Sequence, residues 1–353
     1  MNIIKVKQFF NDKYMEEIKG TFIDPDNSWT YINNSNIKDI NIHTENDNKI
    51  AMIKRNYISK ELCDLAVNSY MDAGKMVSTN RGIANGTISR EKNNSNFNKT
   101  APINSSVIGY IDSANHKKPC RLTSYSSKYF NKYNEGLPFI ERINEGYKEI
   151  ATTEYNKQFE ESLKVQNYII PNTVFTTVTI NYNFRSAVHK DKGDFKDGFG
   201  TLVVCSSNIS GGLLLFPRYK LAIELFNGDF LSMNVHEWHC NSTINYNNGY
   251  RLSFISYLRQ NMVKCDMINK RLDILDKNNG STWHTNDMIL FIFKKLGSAN
   301  IPNKVMHKND IWWEMVFNNY YLIYKNKRYF LNDKNNNKII YNLEKILDYV
   351  LTI

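Results

Sequence analysis

Residues Thr176–Val204 read TTVTINYNFRSAVHKDKGDFKDGFGTLVV, and this stretch decides the fold. Successive side chains of a β-strand point to opposite faces. The odd positions of its first run are all polar: Thr177, Thr179, Asn181 and Asn183. Val178 and Ile180 lie on the opposite face. Because an inward polar row costs free energy unless it is satisfied, the pattern predicts a barrel interior that holds a ligand or water.

Further β-rich runs surround this stretch, between Ile169 and Leu258. They read VFTTVTINYNF, GTLVVCSS, GGLLLFP, LAIELF, DFLSMNV and YRLSFISYL, and turn residues separate them. Short strands at regular spacing are typical of a β-sandwich or a barrel.

Two helical patterns precede the β-rich part. Ser59–Met76 carries apolar residues at helical spacing after a serine that can cap the helix. A second helix is predicted from Pro138 to about Lys164, with a break near Thr152. We therefore predict a central domain over residues 59–262, in which these helices support the strands.

The two ends of the chain differ from this centre. Residues 1–58 contain the turn signals NDK, DPDNS and NNSN, so we expect a lead-in that is either loosely structured or a small α/β unit. Residues 263–353 are predicted to form a helical, aromatic subdomain, with a helix over TNDMILFIFKKLG. The following DIWWEMVFNNYYLIYKNKRYFL is rich in aromatic and basic residues, which form either a core or a surface for stacked bases and phosphates.

The composition indicates a folded protein that lies away from the disordered range, with 42% hydrophobic and 23% charged residues. The formal charge of +10 attracts polyanions such as nucleic acid, although a solvated, lysine-rich surface explains it equally well. Five widely spaced cysteines without a CxxC pair predict no disulfide framework and no zinc ribbon, and they fit a reducing, intracellular compartment. We find no signal peptide and no membrane-spanning segment in the sequence.

His189 and Asp191 are separated by one residue, so in an extended segment their side chains project to the same side. A second histidine about 50 residues later completes a facial triad with three open positions, which Fe(II) needs for a bidentate 2-oxo acid and O₂. His236 and His239 compete for that place. We prefer His239, since it precedes the sequence CNS at the end of a strand.

Arg251 and Ser253 follow on one face of a later strand. A guanidinium offers a bidentate fork for the distal carboxylate of 2-oxoglutarate, and a hydroxyl two residues on can add a further bond. The alternative for Arg251, a surface arginine on an edge strand, is disfavoured by its apolar neighbours Leu252 and Phe254. The candidate contacts to the co-substrate are therefore Arg251, Ser253, Thr179, Asn181 and Asn183.

The chain resembles the Fe(II)/2-oxoglutarate oxygenases in the order of its motifs. These are the polar strand, the His-x-Asp pair, GG…FP, NGD, the distal histidine and Arg-x-Ser. Within that superfamily the chain is similar to the TET/JBP branch, which contains the trypanosome base-J thymine hydroxylases and the TET methylcytosine oxygenases. The closer resemblance is carried by Thr176–Leu202 and Gly211–Leu231. Shorter segments add to it: NRGIANG (Asn80–Gly86), SSVIGYID (Ser105–Asp112) and PCRLTSY (Pro119–Tyr125). The C-terminal tail has no counterpart in this branch.

The resemblance implies an α+β fold with a double-stranded β-helix (jelly-roll, cupin-like) core, flanking helices and a C-terminal helical extension. It also implies an enzyme that takes Fe(II), 2-oxoglutarate and O₂ and hydroxylates a C–H bond. The expected substrate is the methyl group of thymine or 5-methylcytosine in nucleic acid, in a nuclear or virus-associated setting. A base in a duplex must first be flipped out of the stack.

Other interpretations remain open from the sequence. A protein hydroxylase acting on Pro, Lys, Arg or Asn side chains would use the same iron centre, whereas a zinc cupin isomerase would not need Arg251. A non-catalytic binding module would need none of the three ligands. For nucleic-acid contacts, we select Arg81, where flanking glycines let a backbone approach, and Arg121. A simple turn and an internal ion pair are the respective alternatives.

Overall fold

The computed structural model describes residues 2–33, 37–79, 81–86, 102–112, 120–264, 313–317, 320–325, 328–341, 345–346 and 349–350. The contacts between residues divide the chain into two compact units. The first comprises Met1–Ile111 and Thr123–Val263, and the second comprises Asp112–Leu122 and Lys264–Ile353.

The strands, in chain order, are β1 (Asn2–Val6), β2 (Thr30–Ile32), β3 (Asp39–Thr44), β4 (Lys49–Lys54), β5 (Val77–Ser78), β6 (Ile103–Ile111), β7 (Arg121–Leu122), β8 (Thr177–Tyr182), β9 (Gly200–Gly211), β10 (Leu214–Phe216), β11 (Leu221–Ile223), β12 (Phe230–Met233), β13 (Cys240–Asn241), β14 (Ile244–Tyr257), β15 (Trp313–Phe317), β16 (Tyr320–Lys325), β17 (Arg328–Asp333) and β18 (Lys338–Tyr341). The α-helices are α1 (Asp12–Glu17), α2 (Lys60–Gly74), α3 (Ser124–Lys128), α4 (Phe130–Glu135), α5 (Leu137–Ile150) and α6 (Thr152–Ser162). Single 3-10 turns lie at Gly82–Asn85, Leu163–Tyr168, Pro217–Tyr219 and Gln260–Lys264.

Two sheets of the first unit build a double-stranded β-helix. The large sheet has the order β1-β3-β4-β12-β9-β14-β8-β6-β5, and the small sheet has the order β13-β10-β11-β2. Strands β8 to β14 are thus shared between the two sheets, and β14 pairs antiparallel with both β8 and β9. The predicted fold class is confirmed for this core.

The N-terminal residues extend both sheets. Strand β4 pairs antiparallel with β12 of the core, and β2 pairs parallel with β11. Of the two interpretations of residues 1–58, the structure therefore supports an ordered α/β arrangement in the described part of this segment. The strands are short and alternate with segments rich in Asn and Asp, which is why the sequence pattern alone left the matter open.

The helices α2 and α5 pack on the large sheet through an apolar core. Helix α2 begins where predicted, because the Ser59 hydroxyl accepts a hydrogen bond from the Leu62 amide at 3.3 Å. The break predicted near Thr152 is also confirmed, since α5 ends at Ile150 and α6 begins at Thr152. The core between these helices and the sheet is built from large buried residues, among them Tyr70, Phe139, Ile140, Val178, Ile180 and Phe254.

The second unit differs from the predicted helical extension. Its described residues form an antiparallel sheet in the order β15-β16-β17-β18. Leu322, Leu331 and Ile340 are buried on one face of this sheet, so the alternation of apolar positions follows strand periodicity. The expectation of helices is wrong for these residues, because aromatic and β-branched side chains favour pleated sheets. The helix predicted over TNDMILFIFKKLG and the aromatic Trp312 lie outside the described residues.

The cysteines differ in part from the expectation. Cys63, Cys205 and Cys240 are buried free thiols, whereas Cys120 is disulfide-bonded. The cysteine spacing did not predict that bond. Within the described part of the chain, no helix combines the length and the apolar character needed to cross a bilayer.

Candidate active site

A cavity of about 380 Å³ opens between the two sheets of the first unit. Its wall is formed by inward-facing side chains of β8, β9, β12 and β14 and by the segment between β8 and β9. Eight of the residues selected from the sequence line it: Arg81, Thr179, Asn181, His189, Asp191, His239, Arg251 and Ser253. Of the predicted polar row, Thr179 and Asn181 thus face the cavity, whereas Thr177 and Asn183 do not occur among its described lining residues.

Three of these side chains converge as a candidate metal site. One ligand atom from each of His189, Asp191 and His239 lies within 4.8 Å of the others. The His189 Nε2 atom is 3.6 Å from Asp191 Oδ1, and the His239 Nε2 atom is 3.7 Å from Asp191 Oδ2. These distances are too long for hydrogen bonds, but they suit three donors arranged around one ion.

The second nitrogen of each imidazole is already engaged. His189 Nδ1 lies 2.8 Å from the carbonyl oxygen of Ala187, and His239 Nδ1 lies 2.9 Å from that of Glu237. Because a carbonyl oxygen only accepts, each Nδ1 carries the proton and each Nε2 keeps its lone pair for a metal. Burial, together with the neighbouring His189, lowers the pKa of His239 to about 4. Its ring is therefore neutral at neutral pH, which is the form that binds a metal.

The backbone explains how these ligands meet. His189 and His239 face each other as an antiparallel bridge, and each amide donates to the other's carbonyl oxygen at 3.0 Å. The amide of Asp191 donates to the carbonyl oxygen of Val235 at 3.0 Å. His236 does not join the cluster, because its Nδ1 lies 2.8 Å from the carbonyl oxygen of Asp191. Its ring therefore braces the loop that carries Asp191.

The turn that carries His239 is fixed by the side chain of Glu237. Its carboxylate accepts hydrogen bonds from Arg218 Nε at 3.0 Å, from the Tyr219 hydroxyl at 3.0 Å and from the Trp238 amide at 2.7 Å. Arg218 also pairs with Asp12 of helix α1. The carbonyl that orients His239 is thereby braced from the N-terminal segment of the chain.

The donor set fits ferrous iron. Two imidazole nitrogens and one carboxylate form a facial triad, and no further His, Cys, Asp or Glu ligand joins them among the described residues. Such a triad leaves open positions for exogenous ligands, which is typical of iron sites that bind a 2-oxo acid and O₂.

Arg251 supplies a cation to the same cavity. Only 4% of the residue is exposed, and within the described parts of the chain its guanidinium has no hydrogen bond and no acidic partner. Burial lowers its pKa to about 10, so it stays protonated at neutral pH. A buried and unpaired cation is costly unless a ligand compensates it. Ser253 lies beside it, with its hydroxyl 3.5 Å from Asn181 Nδ2.

Of the other selected residues, Arg81 lines the cavity and Asn183 does not. Arg81 lies in the cavity, where its Nε donates to the Ser105 hydroxyl at 2.8 Å and that hydroxyl donates to Asn181 Oδ1 at 2.6 Å. Asn183 is not among the lining residues. It adopts a φ of 50° and accepts the Arg251 amide at 2.8 Å, which braces the strand of the anchor.

Thr179 faces the cavity as predicted, and its hydroxyl lies 3.2 Å from that of Tyr257. Arg121 belongs to the other compact unit and does not occur among the described lining residues.

Sequence reasoning missed Asp194 and Tyr257, which also line the cavity. The Oδ2 atom of Asp194 is buried and accepts no hydrogen bond from the described residues. Burial and the nearby Asp191 carboxylate hold the pKa of Asp194 well above its usual range, against the opposing effect of two arginines. The second acid of HKDKGD was the available signal, but in a glycine-containing stretch it also fits a simple turn.

A known family of oxygenases is similar to the part of the chain that builds this centre. Residues 106–260 match the Tet_JBP family, described as the oxygenase domain of the 2OGFeDO superfamily. This stretch is therefore similar to the Tet/JBP oxygenase domains. The match includes the three candidate metal ligands and Arg251, while Arg81 lies before it.

Curated relatives and solved structures were also compared with the chain. The bifunctional helicase and thymine dioxygenase JBP2 of Trypanosoma cruzi (strain CL Brener) is 28% identical over 277 residues, covering 74% of this chain and 24% of that protein. The thymine dioxygenase JBP1 of Trypanosoma brucei brucei is 28% identical over 168 residues, covering 44% of this chain and 19% of that protein. The structure of NgTET1 in complex with 5mC DNA covers 76% of this chain and 100% of that one, with 14% identity and a TM-score of 0.48.

This chain spans about a quarter or less of the length of these curated relatives. The helicase named for JBP2 is therefore a property of that much longer protein.

Proposed function

We propose that this protein uses Fe(II), 2-oxoglutarate and O₂ to hydroxylate the methyl group of thymine or 5-methylcytosine in DNA. One observation carries the proposal: the three converging ligands share a cavity with Arg251, a buried cation without an acidic partner among the described residues. A co-substrate that chelates a metal at one end and carries a carboxylate at the other matches both features. The choice of a pyrimidine is supported by the relatives, which are named as thymine dioxygenases.

The three candidate ligands and Arg251 have different tasks in this proposal. His189, Asp191 and His239 would hold the iron, and Arg251 would orient 2-oxoglutarate through a bidentate pair, assisted by the Ser253 hydroxyl. Bound iron with 2-oxoglutarate and O₂ would supply the oxidation that turns a C–H bond into C–OH and releases succinate and CO₂. The apolar wall residues Leu202, Leu214 and Met233 exclude water from the reacting atoms.

Asp194 and Tyr257 offer polar groups for the edge of a base. A carboxyl oxygen can accept a hydrogen bond from the N3–H group of thymine or from the amino group of cytosine. Because Asp194 Oδ2 has no hydrogen bond from the described residues, a bound base would satisfy it. A base can reach this depth only after it has left the duplex stack, which costs a few kcal/mol.

The proposal is tested by assaying purified protein loaded anaerobically with Fe(II) and then given O₂ and 2-oxoglutarate. We expect succinate formation to be stimulated by DNA that carries thymine or 5-methylcytosine, and the modified nucleoside to gain one oxygen atom by mass spectrometry. If succinate formed without a modified base, the substrate would belong to another class, such as protein side chains. No succinate at all would contradict the oxygenase assignment itself.

Replacing Asp194 separates base binding from the iron chemistry. In Asp194→Ala the base edge is left without its partner, which costs about 1–3 kcal/mol, or roughly 5- to 150-fold in kcat/KM for DNA. Slow succinate formation in the absence of DNA should be unchanged, because His189, Asp191, His239 and Arg251 remain. The exposed Asp197 provides a matched Asp197→Ala control. If kcat/KM for DNA and the DNA-independent rate of succinate formation fell equally, Asp194 would instead act by supporting the candidate metal ligands.

A further inference from the structure

The side chain of Phe22 is 46% exposed to solvent and does not itself line the active-site cavity, but its chain neighbours lie beside the cavity wall. Its backbone runs beside the segment that leads to His189, since the Gly20 amide donates to the carbonyl oxygen of Val188 and the Val188 amide donates to that of Thr21. Lys19, just before this segment, lines the cavity. The aromatic ring is therefore presented next to the entrance of the site.

The ring of Phe22 packs against a glycine. Gly86 follows the cavity-lining residues Ile83 and Ala84 and has a φ of 75°. A Cβ atom at Gly86 would come within 2.5 Å of Phe22 Cε2, which is closer than real contacts allow. The ring lies directly against the backbone of this turn, so the position of Phe22 and that of the cavity wall are coupled.

Arg185 makes a second contact with the ring. Its guanidinium carbon lies 5.2 Å from the ring centroid, and the same group donates to the carbonyl oxygen of Ile23 at 2.9 Å and to Asp24 at 3.0 Å. Asp24 in turn accepts the amide of Thr243 at 2.6 Å. Single exposed apolar residues are common on proteins, but this ring contacts both the Gly86 turn and the Arg185 guanidinium.

Positive charge lies at the same entrance. Lys190 and Lys192 flank the metal ligand Asp191 and line the cavity, and Lys192 is exposed. Lys19 is also present, although it pairs with Glu16 at 3.1 Å. Lysines placed around a cavity that receives a nucleotide can contact the phosphates next to it.

We propose that Phe22 acts as a wedge that enters the base stack and occupies the space left by the flipped pyrimidine. This inference rests on the proposed function. A flipped base leaves its neighbours unstacked, and an aromatic ring inserted there replaces part of the lost stacking. A preorganised ring does so without first being ordered, which favours the open duplex over the closed one.

The test compares duplex with single-stranded DNA. Phe22→Ala should lose at least about tenfold in kcat/KM on a duplex, because the flipped state is no longer compensated. The variant should keep nearly full activity on a single strand of the same sequence, whose base needs no flipping. Phe22→Trp, which retains a ring that can stack, should restore most of the duplex activity. Phe159→Ala is the matched control, since Phe159 on α6 is exposed to 45% and does not occur among the described lining residues.

A second readout is independent of turnover. A 2-aminopurine placed next to the target base in the duplex should gain fluorescence on binding wild-type protein and gain less on binding Phe22→Ala. Equal losses on duplex and single strand, or an unchanged fluorescence response, would overturn the wedge while leaving the proposed function intact. Absence of base oxidation by the wild type on both forms of DNA would instead overturn the proposed function, and the wedge with it.

Discussion

Asp191→Ala is expected to abolish both succinate formation and base hydroxylation. Asp191 is the sole carboxylate of the metal cluster among the described residues, and each of its oxygens faces one histidine. Without it, two imidazoles remain, which form an incomplete triad for Fe(II). Equilibrium dialysis with Fe(II) under anaerobic conditions should show the loss of stoichiometric metal binding, and the assay of succinate should fall to background.

The same substitution should leave the fold intact. The Asp191 carboxylate faces the cavity, and its charge raises the pKa of the buried Asp194 nearby, so its removal relieves a repulsion. Thermal unfolding of the metal-free protein should therefore occur at or above the wild-type midpoint. Asp197→Ala serves as a control, because that carboxylate is exposed. Full turnover by Asp191→Ala would rule out this residue as an iron ligand.

Arg251→Ala is expected to raise the KM for 2-oxoglutarate by orders of magnitude. Removing one partner of a buried, hydrogen-bonded charge pair costs about 2–5 kcal/mol, which corresponds to roughly 30- to several-thousand-fold in affinity. The metal affinity measured without co-substrate should not change, since Arg251 is not one of the ligands. Titration of the Fe(II) protein with 2-oxoglutarate, together with initial rates, checks both statements.

A conservative variant sharpens this second prediction. Arg251→Lys keeps the charge but loses the planar fork, so its KM should fall between those of the wild type and Arg251→Ala. Arg142→Ala is a suitable control, because Arg142 lies on α5 outside the cavity and pairs with Glu145 at 2.7 Å. If KM stayed at the wild-type value in both Arg251 variants, the carboxylate anchor would have to be another residue.

The sequence predicted the parts of the site that depend on local periodicity. His189 and Asp191 project together because they are two residues apart in an extended segment, and Thr179 and Asn181 share a face for the same reason. Ser253 lies directly opposite Asn181 in the pairing of β14 with β8. That register follows from the buried face of each strand, since a shift by one residue would turn every side chain to the wrong side.

What could not be predicted depends on contacts between distant segments. Asp194 enters the cavity because its loop pairs with the end of β14, which a local pattern does not reveal. Phe22 is placed by its neighbours Gly86 and Arg185, which lie far from it in the chain. The sequence favoured His239 over His236 only through the residues that follow it, whereas the positions of the two rings depend on how the Glu237 turn directs them.

The hydrogen bonds and ion pairs that brace the candidate metal site from the N-terminal segment limit whether residues 106–260 can be moved alone into another protein. The family match begins at residue 106, yet Asp12 pairs with Arg218 behind His239, and β4 covers the edge of β12. A fragment cut at the family boundary would lose that brace and would expose an unpaired strand edge, which is a template for aggregation. Transfer of this oxygenase into another protein therefore requires the strands and helix α1 that precede the recognisable domain.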